Sequence, residues 1–286
     1  LWILCTMTLL GAAEIRELAA KLDLKPSKSL GQNFVIDSNV CAKIVRTAGV
    51  TADDIALEIG PGLGSLTLAM LEIAQSVVAV EIDPRLAQQL PLTVADHFDH
   101  PENLTVINKD ALAVNELPIQ PTVLVANLPY NVSVPVLLHL LEVFPTIRTG
   151  VVMVQAEVAD RLAAKPGGKE YGIPSVKAAW WADVKNVGTV SRSIFWPEPN
   201  VDSKLVGFTR RKTAGPEEMR EKVFTIIDAA FAQRRKMLRS ALSSLYGSSS
   251  AAEAILINAG IDPTLRGEAL QVESFCKIAA VAPDIF

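Results

Sequence analysis

The chain has 286 residues, 50% of them hydrophobic and 20% charged, with a mean hydropathy of +0.30 and a pI near 5.5. That excludes a disordered chain and a mini-fold stapled by metal or disulfides, and allows one large domain or two smaller ones. The net charge of −4 excludes a uniformly basic nucleic-acid binder, and three widely spaced cysteines, Cys5, Cys41 and Cys276, suit a reducing cytoplasm.

The first ten residues, LWILCTMTLL, are apolar but lack the basic start and small-residue cleavage site of a signal peptide. The expectation is that Leu1–Thr6 come from a misplaced start and that Met7 or a later residue begins the natural protein. Residues 14–23 and 38–48 read as helices, the second capped by Asp37 or Ser38. Strands and helices then alternate. Ile55–Ile59, Val77–Ile82, Leu104–Asn108, Thr122–Ala126 and Val151–Gln155 read as strands. Leu66–Ile73, a stretch from about Pro84, Val134–Phe144 and Ala156–Ala164 read as helices. Alternation of this kind predicts an α/β fold with a parallel sheet covered on both faces.

The alternating run SKLVGFTR, 203–210, reads as a final strand, and beyond Thr213 the pattern is helical. The boundaries expected are 1–27 for an N-terminal extension and helix, 28–213 for the α/β domain and 214–286 for a smaller all-helical domain. Residues 117–141 carry no charge and are long enough to span a bilayer, but Pro118, Pro121, Pro129 and Pro135 break such a helix. A buried strand, a loop and a helix are expected there, with no membrane partner.

Charge is unevenly spread. Residues 1–191 are net −6, 192–240 net +5 and 241–286 net −3. A basic segment in an acidic chain suits local attraction to phosphates, or simply a solvated face.

Three features sit at the ends of successive strands. Glu58-Ile-Gly60-Pro-Gly62-Leu-Gly64 follows the first strand and opens a helix. Such glycines let a ligand approach the backbone, and the helix start supplies amide donors. The dinucleotide pattern G-x-G-x-x-G fails, because its third glycine position falls on Thr67. Glu81 ends the second strand, where a carboxylate can accept both hydroxyls of a ribose. Asp110, past the third strand, can accept from an adenine amino group. Singly, these are also a tight turn, a solvated acid and a helix cap. Together they describe a site for an adenosine-containing ligand that needs no pyrophosphate.

Asn127-Leu128-Pro129-Tyr130 follows the fourth strand. An exocyclic aromatic amine is a poor nucleophile because its lone pair is delocalised into the ring. An Asn oxygen and a backbone carbonyl that accept its N–H bonds favour a pyramidal nitrogen aimed at a methyl donor, and they stabilise developing positive charge. Pro129 stiffens the turn, and Tyr130 offers a ring for stacking a base. Read alone, the motif is also a turn with a buried tyrosine.

With these residues stand KSLGQNFVID (28–37), VEIDPRL (80–86), NKDAL (108–112), ANLPYNVSVPVL (126–137), MVQAEVADRL (153–162), KEYG (169–172), FWPEPNVDSKLV (195–206) and AFAQRRKMLRSAL (230–242). Nearly end to end, the chain resembles the rRNA adenine N6,N6-dimethyltransferase family, and within it the type that modifies small-subunit rRNA. The resemblance implies a Rossmann-like S-adenosylmethionine-dependent methyltransferase sheet with a helical C-terminal rRNA-binding domain. It implies dimethylation of N6 on each of two adjacent adenines in the 3′-terminal hairpin loop of 16S rRNA, and a late quality-control role in small-subunit assembly.

Residue by residue, the resemblance implies that Asn33 and the backbone of Val35 touch the cofactor. Gly60 and Gly62 lie beside the donor, Glu81 holds the ribose and Asp110 the adenine. Asn127, also expected among the cofactor contacts, and the Leu128 carbonyl grip the target nitrogen beside Pro129, while Tyr130 and Phe195 stack on the two faces of the flipped adenine. Arg210, Arg211, Lys212, Arg234, Arg235, Lys236 and Arg239 are expected on RNA phosphates, the last four from a single helix. Phe224, Ile227 and Phe231 are expected as core. Val134 stands where the family often has a small hydroxyl residue, and it cannot hydrogen-bond. The expected partner is 16S rRNA within the small ribosomal subunit, and the expected state is a cytoplasmic monomer.

His97 and His100 beside Asp99 read as a surface turn rather than a metal site, His139 as a satisfied core histidine and Cys41 as an unreactive thiol. No metal is expected in the site. Two rivals are a large-subunit rRNA adenine methyltransferase of the antibiotic-resistance type and an assembly factor that acts mainly by binding RNA. A DNA adenine methyltransferase fits less well, because no target-recognition insertion interrupts the domain.

Overall fold

The computed structural model describes residues 9–24 and 33–284. The expectations for Leu1–Thr6 and for the KSLGQ half of the 28–37 segment lie outside the described residues. In chain order the elements begin with α1 (Ala12–Lys21), β1 (Phe34–Val35), α2 (Ser38–Ala48), β2 (Ile55–Ile59), α3 (Ser65–Leu71), β3 (Ser76–Glu81) and α4 (Pro84–His97). They continue with β4 (Leu104–Asn108), β5 (Val123–Asn127), α5 (Ser133–Val143), β6 (Thr149–Gln155), α6 (Ala156–Ala163), α7 (Ile173–Ala178) and β7 (Ala182–Val190). Then come β8 (Phe195–Trp196), β9 (Ser203–Arg210) and the helices α8 (Arg220–Ala232), α9 (Leu238–Ala241), α10 (Ser243–Tyr246), α11 (Ser249–Asn258) and α12 (Val272–Val281).

The chain divides into two compact units. One runs to Ala159 and adds Asn186–Thr209; the other comprises Asp160–Lys185 and the residues from Arg210 onward. The first holds most of a seven-stranded sheet of order β4-β3-β2-β5-β6-β9-β7. Strands β4, β3, β2, β5 and β6 are parallel, which the alternation of strands and helices anticipates. β9 departs from that expectation and runs antiparallel to β6, with Gln155 opposite Ser203.

The chain steps outward from β2 through β3 to β4 and then crosses to β5 on the other side of β2. That reversal opens a crevice at the carboxyl edge, where open α/β sheets bind ligands. β2 and β5 read as near-continuous apolar runs because they are buried on both faces, and Leu57, Val123, Leu124 and Val125 are inaccessible. The uncharged stretch before His139 resolves into β5, a loop and α5. Among the described residues, no helix is long and apolar enough to cross a membrane.

Local chemistry fixes the ends of the elements around that edge. Asp37 caps α2, accepting from the Val40 amide at 3.1 Å, and Gly49 ends it with φ of 70°. Asp83 caps α4 by accepting from the Arg85 amide at 2.9 Å, with Pro84 in the first turn. At the opposite edge, buried Asp54 accepts from Thr122 Oγ1 at 2.6 Å and from Arg148, tying β2 to the entry of β5. The second unit packs α8 on α12 and α9 on α11 around Ile226, Ile227, Leu256 and Phe275. Ile227 is core as expected, whereas Phe224 and Phe231 are half-buried. Phe224 lies edge-on to Trp180 and Trp181, at 6.0 and 5.5 Å.

Candidate active site

The glycine loop Gly60–Gly64 leaves β2 with three left-handed residues, φ of 67° at Gly60, 58° at Gly62 and 104° at Gly64. L side chains are disfavoured there, so the glycines are a backbone requirement. A Cβ on Gly62 would lie 3.0 Å from the Phe34 ring. One on Gly60 would lie 3.9 Å from the Asn127 carbonyl oxygen and 4.0 Å from Pro129 Cδ. The loop is thus roofed by the β1 segment and faces the turn that follows β5.

Two buried carboxylates flank the loop. Glu81, 4% exposed, accepts from the Gly62 amide at 3.2 Å and from the Asp83 amide at 2.9 Å. Burial raises its pKa, and the amide hydrogen bonds oppose that rise. Asn108 anchors the strand end beneath it, donating through Nδ2 to the Glu81 carbonyl at 2.7 Å. Glu58 is 1% exposed and takes a 2.5 Å hydrogen bond from Thr67 Oγ1 across the mouth of the loop. Burial, with the Glu81 carboxylate adding to it, pushes Glu58 up to about 8, so at neutral pH it is mostly a neutral acid. Thr67, which breaks the dinucleotide pattern, is therefore the partner that satisfies a buried acid.

Asp110 is exposed and begins a short helical turn, accepting from the Leu112 amide through Oδ1 at 2.9 Å. Asn127 donates from Nδ2 to the Asn33 carbonyl at 3.1 Å. The Leu128 amide donates to the Met153 carbonyl at 3.1 Å, which pins the turn to β6. Val35 is held in turn by Ser65 Oγ, which donates to its carbonyl at 2.7 Å.

One cleft gathers Asn33, Val35, Gly60, Gly62, Glu81, Asp110, Asn127 and Pro129, and adds Phe34 and Glu58 to them. Leu128, Tyr130 and Phe195 are not among its walls. The Leu128 side chain is 1% exposed and Phe195 is 3% exposed within the hydrophobic core. Phe195 pairs with Val35 in a two-stranded sheet of β1 and β8, whose next pair, Phe34 and Trp196, stacks at 6.3 Å. Tyr130 is half-buried with its hydroxyl 2.9 Å from Ser203 Oγ. Val134 lies in the first turn of α5, after buried Ser133. Ser65, Ser203 and Asn108 have no assigned role in the sequence reading; each acts on a backbone or side chain remote in sequence, and no local pattern marks that.

The basic residues all lie in the second unit, with Arg210 opening its second segment, and they separate into two groups. The sequence suggests one helix for Arg234, Arg235, Lys236 and Arg239, but the first three do not share a helix with Arg239. α8 ends at Ala232, and 234–236 form a turn before α9, in which Arg239 lies. Met237 is extended, so the helical spacing is interrupted. Arg234 is committed to Glu268 at 2.9 Å and to the Lys169 carbonyl at 2.6 Å. Arg211 is paired with Glu273 at 2.7 Å and Arg239 with Glu253 at 3.2 Å. Burial lowers the pKa of half-buried Arg210. Lys212, Arg235 and Lys236 are exposed.

His97 meets Glu14 at 2.8 Å, His100 meets Glu102 at 3.0 Å, and His139 Nε2 lies 3.0 Å from the Val114 carbonyl oxygen. Among the described residues, no group of three or more His, Cys, Asp or Glu could hold a metal ion. Cys41 is fully buried, and burial, reinforced by Glu58 and Asp37, pushes its thiol up to about 12, so it carries no thiolate.

The chain is similar to known proteins. Residues 24–284 match the family model described as ribosomal RNA adenine dimethylase. A ribosomal RNA small subunit methyltransferase A from Leifsonia xyli is 59% identical over 276 residues, which is 96% of this chain and 99% of that one. A dimethyladenosine transferase from Plasmodium falciparum shares the fold, with a TM-score of 0.71 at 24% identity over 86% of this chain and 95% of its own. The 23S rRNA methyltransferase ErmE aligns with a TM-score of 0.64 at 28% identity, over 87% of this chain and 98% of its own. With the family match reaching from before the Asn33 segment to beyond α12, the chain belongs to the ribosomal RNA adenine dimethylase family.

Proposed function

We propose that the protein transfers methyl groups from S-adenosylmethionine to N6 of two adjacent adenines in the 3′-terminal hairpin loop of 16S rRNA, during small-subunit biogenesis. The observation that carries this reading is the meeting, in one cleft, of a glycine cradle, two carboxyl groups at strand ends and an Asn amide with one orientation fixed. The partner is 16S rRNA in the small ribosomal subunit, and the enzyme works as a cytoplasmic monomer without a membrane or DNA partner. Relatives 54–59% identical that carry the small-subunit name support the substrate, against 28% for ErmE.

The residues present fit the cofactor. Gly60 and Gly62 leave a cradle that a Cβ would fill. Glu81 uses one lone pair of each oxygen on the Gly62 and Asp83 amides and has further lone pairs for the ribose hydroxyls. Asp110 spends Oδ1 on the Leu112 amide, and its other oxygen would hold the adenine amino group. Once bound, the donor supplies a methyl group on a positively charged sulfur.

The rest is positioning and electrostatics. With Nδ2 held by the Asn33 carbonyl, Asn127 presents Oδ1 as an acceptor. The Leu128 carbonyl supplies a second acceptor on a turn pinned to β6. Together they accept the two N–H bonds of the target amine and favour a pyramidal nitrogen. After the first transfer the cationic amine releases one proton to water and keeps one N–H, so one acceptor still holds it for the second transfer. Tyr130 supplies a stacking face for the extruded base, and extrusion from a hairpin loop is inexpensive. Phe195, buried against β1 in this structure, is the ring this reading assigns to the other face. Lys212, Arg235 and Lys236 are the cations available to phosphates.

The test is methyl transfer from labelled S-adenosylmethionine to undermethylated small and large subunits, with mass mapping of the product. Dimethyladenosine in the 3′-terminal hairpin of the small subunit is expected. Label confined to the large subunit would move the chain to the resistance type, and no label with cofactor binding intact would favour the assembly-factor reading.

A further inference from the structure

Tyr130 stands on a loop, where a ring with two free torsions is poorly fixed, yet its hydroxyl has a fixed partner. Ser203 Oγ lies 2.9 Å away and comes from the first residue of β9, 73 positions along the chain. Strand register explains the meeting. Asn127 lies opposite Met153 on β6, and Met153 lies opposite Leu205 on β9. Because β9 runs antiparallel, two residues back from Leu205 brings Ser203 to the carboxyl edge of β5, level with the turn that carries Tyr130. Ser203 is rigid for two reasons. It is 1% exposed, and the Asp202 carbonyl beside it accepts from the Ala156 amide at 2.8 Å.

We propose that Ser203 is a positioning residue for base recognition: its hydroxyl locks the Tyr130 ring in the orientation that stacks on the target adenine. This rests on the reading of Tyr130 as the stacking ring. A stacking platform ordered before the RNA arrives spares the ordering cost at binding, and preorganisation of this kind raises affinity without adding a contact. Ser203 also ties base capture to the sheet edge that carries Asn127, so ring and amide keep one geometry. Ser203 is not among the walls of the cofactor cleft, so its effect falls on RNA and not on S-adenosylmethionine.

The test is a double-mutant cycle with Ser203→Ala and Tyr130→Phe, read as kcat/KM for undermethylated small subunits, as KM for S-adenosylmethionine and as Tm. Tyr130→Phe breaks the same bond without touching a buried position, so a folding defect in Ser203→Ala cannot imitate the result. Each single variant should lose about 10-fold in kcat/KM for the subunit, about 1.4 kcal/mol, with the cofactor KM unchanged. The double variant should be no worse than either single, because both remove one bond. Additive losses, or a Ser203→Ala defect confined to Tm, would overturn the proposal. Tyr130→Ala keeps the two readings apart. If it is inactive while Tyr130→Phe and Ser203→Ala are both normal, stacking stands and the lock falls. If Tyr130→Ala is fully active, the stacking role itself is wrong.

Discussion

The side-chain amide of Asn127 donates to the backbone carbonyl of Asn33 at 3.1 Å, across 94 positions of sequence. That bond decides which end of the amide faces the cleft, because only Nδ2 can donate to a carbonyl. Asn127→Ala should therefore leave cofactor binding within a few-fold of wild type and lower the rate of methyl transfer by about 10²–10³, the usual cost of losing one transition-state hydrogen-bonding group. Asn127→Asp keeps an acceptor but sets a second oxygen against the Asn33 carbonyl. It should lose transfer and also Tm. Calorimetric binding of S-adenosylmethionine with single-turnover transfer to subunits separates the effects. An alanine variant that transfers at the wild-type rate would remove Asn127 from the chemistry.

Gly62 and the Phe34 ring are in close contact, and the glycine has φ of 58°. Gly62→Ala adds a Cβ 3.0 Å from that ring and places an L residue in the left-handed region, at about 1–2 kcal/mol. The loop must shift, and with it the amide that Glu81 holds. The expected outcome is a cofactor Kd raised about 10-fold or more with kcat changed less. Adding Phe34→Leu should recover part of that loss by clearing the Cβ, while the backbone cost remains. Unchanged cofactor affinity in Gly62→Ala would mean that the loop is a plain turn.

Much of this site was legible in the sequence because its parts are local. Each acid sits at the end of an apolar run, and a strand end is visible from composition. β9 was equally readable, as SKLVGFTR alternates. β7 was not, because polar residues interrupt ADVKNVGTV and it buries only Ala182, Val184 and Val190. Its packing depends on Gly207, where a Cβ would lie 2.8 Å from Val187. What sequence could not reveal is pairing at a distance. Arg234 looks like a free cation until Glu268 and the 168–169 carbonyls are placed around it. The burial of Phe195 in the core is likewise visible only in the structure.

The basic residues should consequently behave as two classes. Replacing Lys212, Arg235 and Lys236 together by alanine should weaken binding to small subunits and flatten its dependence on salt. Each phosphate contact contributes about 0.7–0.9 to the log–log slope, so the change should be about 2.1–2.7 if all three touch RNA. Tm should hardly move. Arg234→Ala should do the reverse, lowering Tm by freeing Glu268 and the Lys169 carbonyl while leaving the salt slope intact. Filter binding across a salt series, with thermal melts, distinguishes them. Equal slopes for the triple variant and wild type would exclude these three residues from the RNA interface.

Glu58 gives the protein a pH dependence of definite sign. Its carboxyl is pushed from 4.5 up to about 8 in the folded chain, chiefly by burial. Between those values the folded state keeps a proton that the unfolded state has released, so stability falls as pH rises through this window and levels off above about 8. The contribution is complete below the unfolded pKa and is lost through the folded one. Glu58→Gln replaces the neutral acid by a neutral amide that can still meet Thr67 Oγ1, and removes the titration. The variant should match wild type near pH 5 and exceed it near pH 8, by on the order of a few kcal/mol. Its Tm against pH should be flatter than that of wild type over this range. Parallel curves for the two proteins between pH 5 and 8 would mean that Glu58 is ionised in the fold.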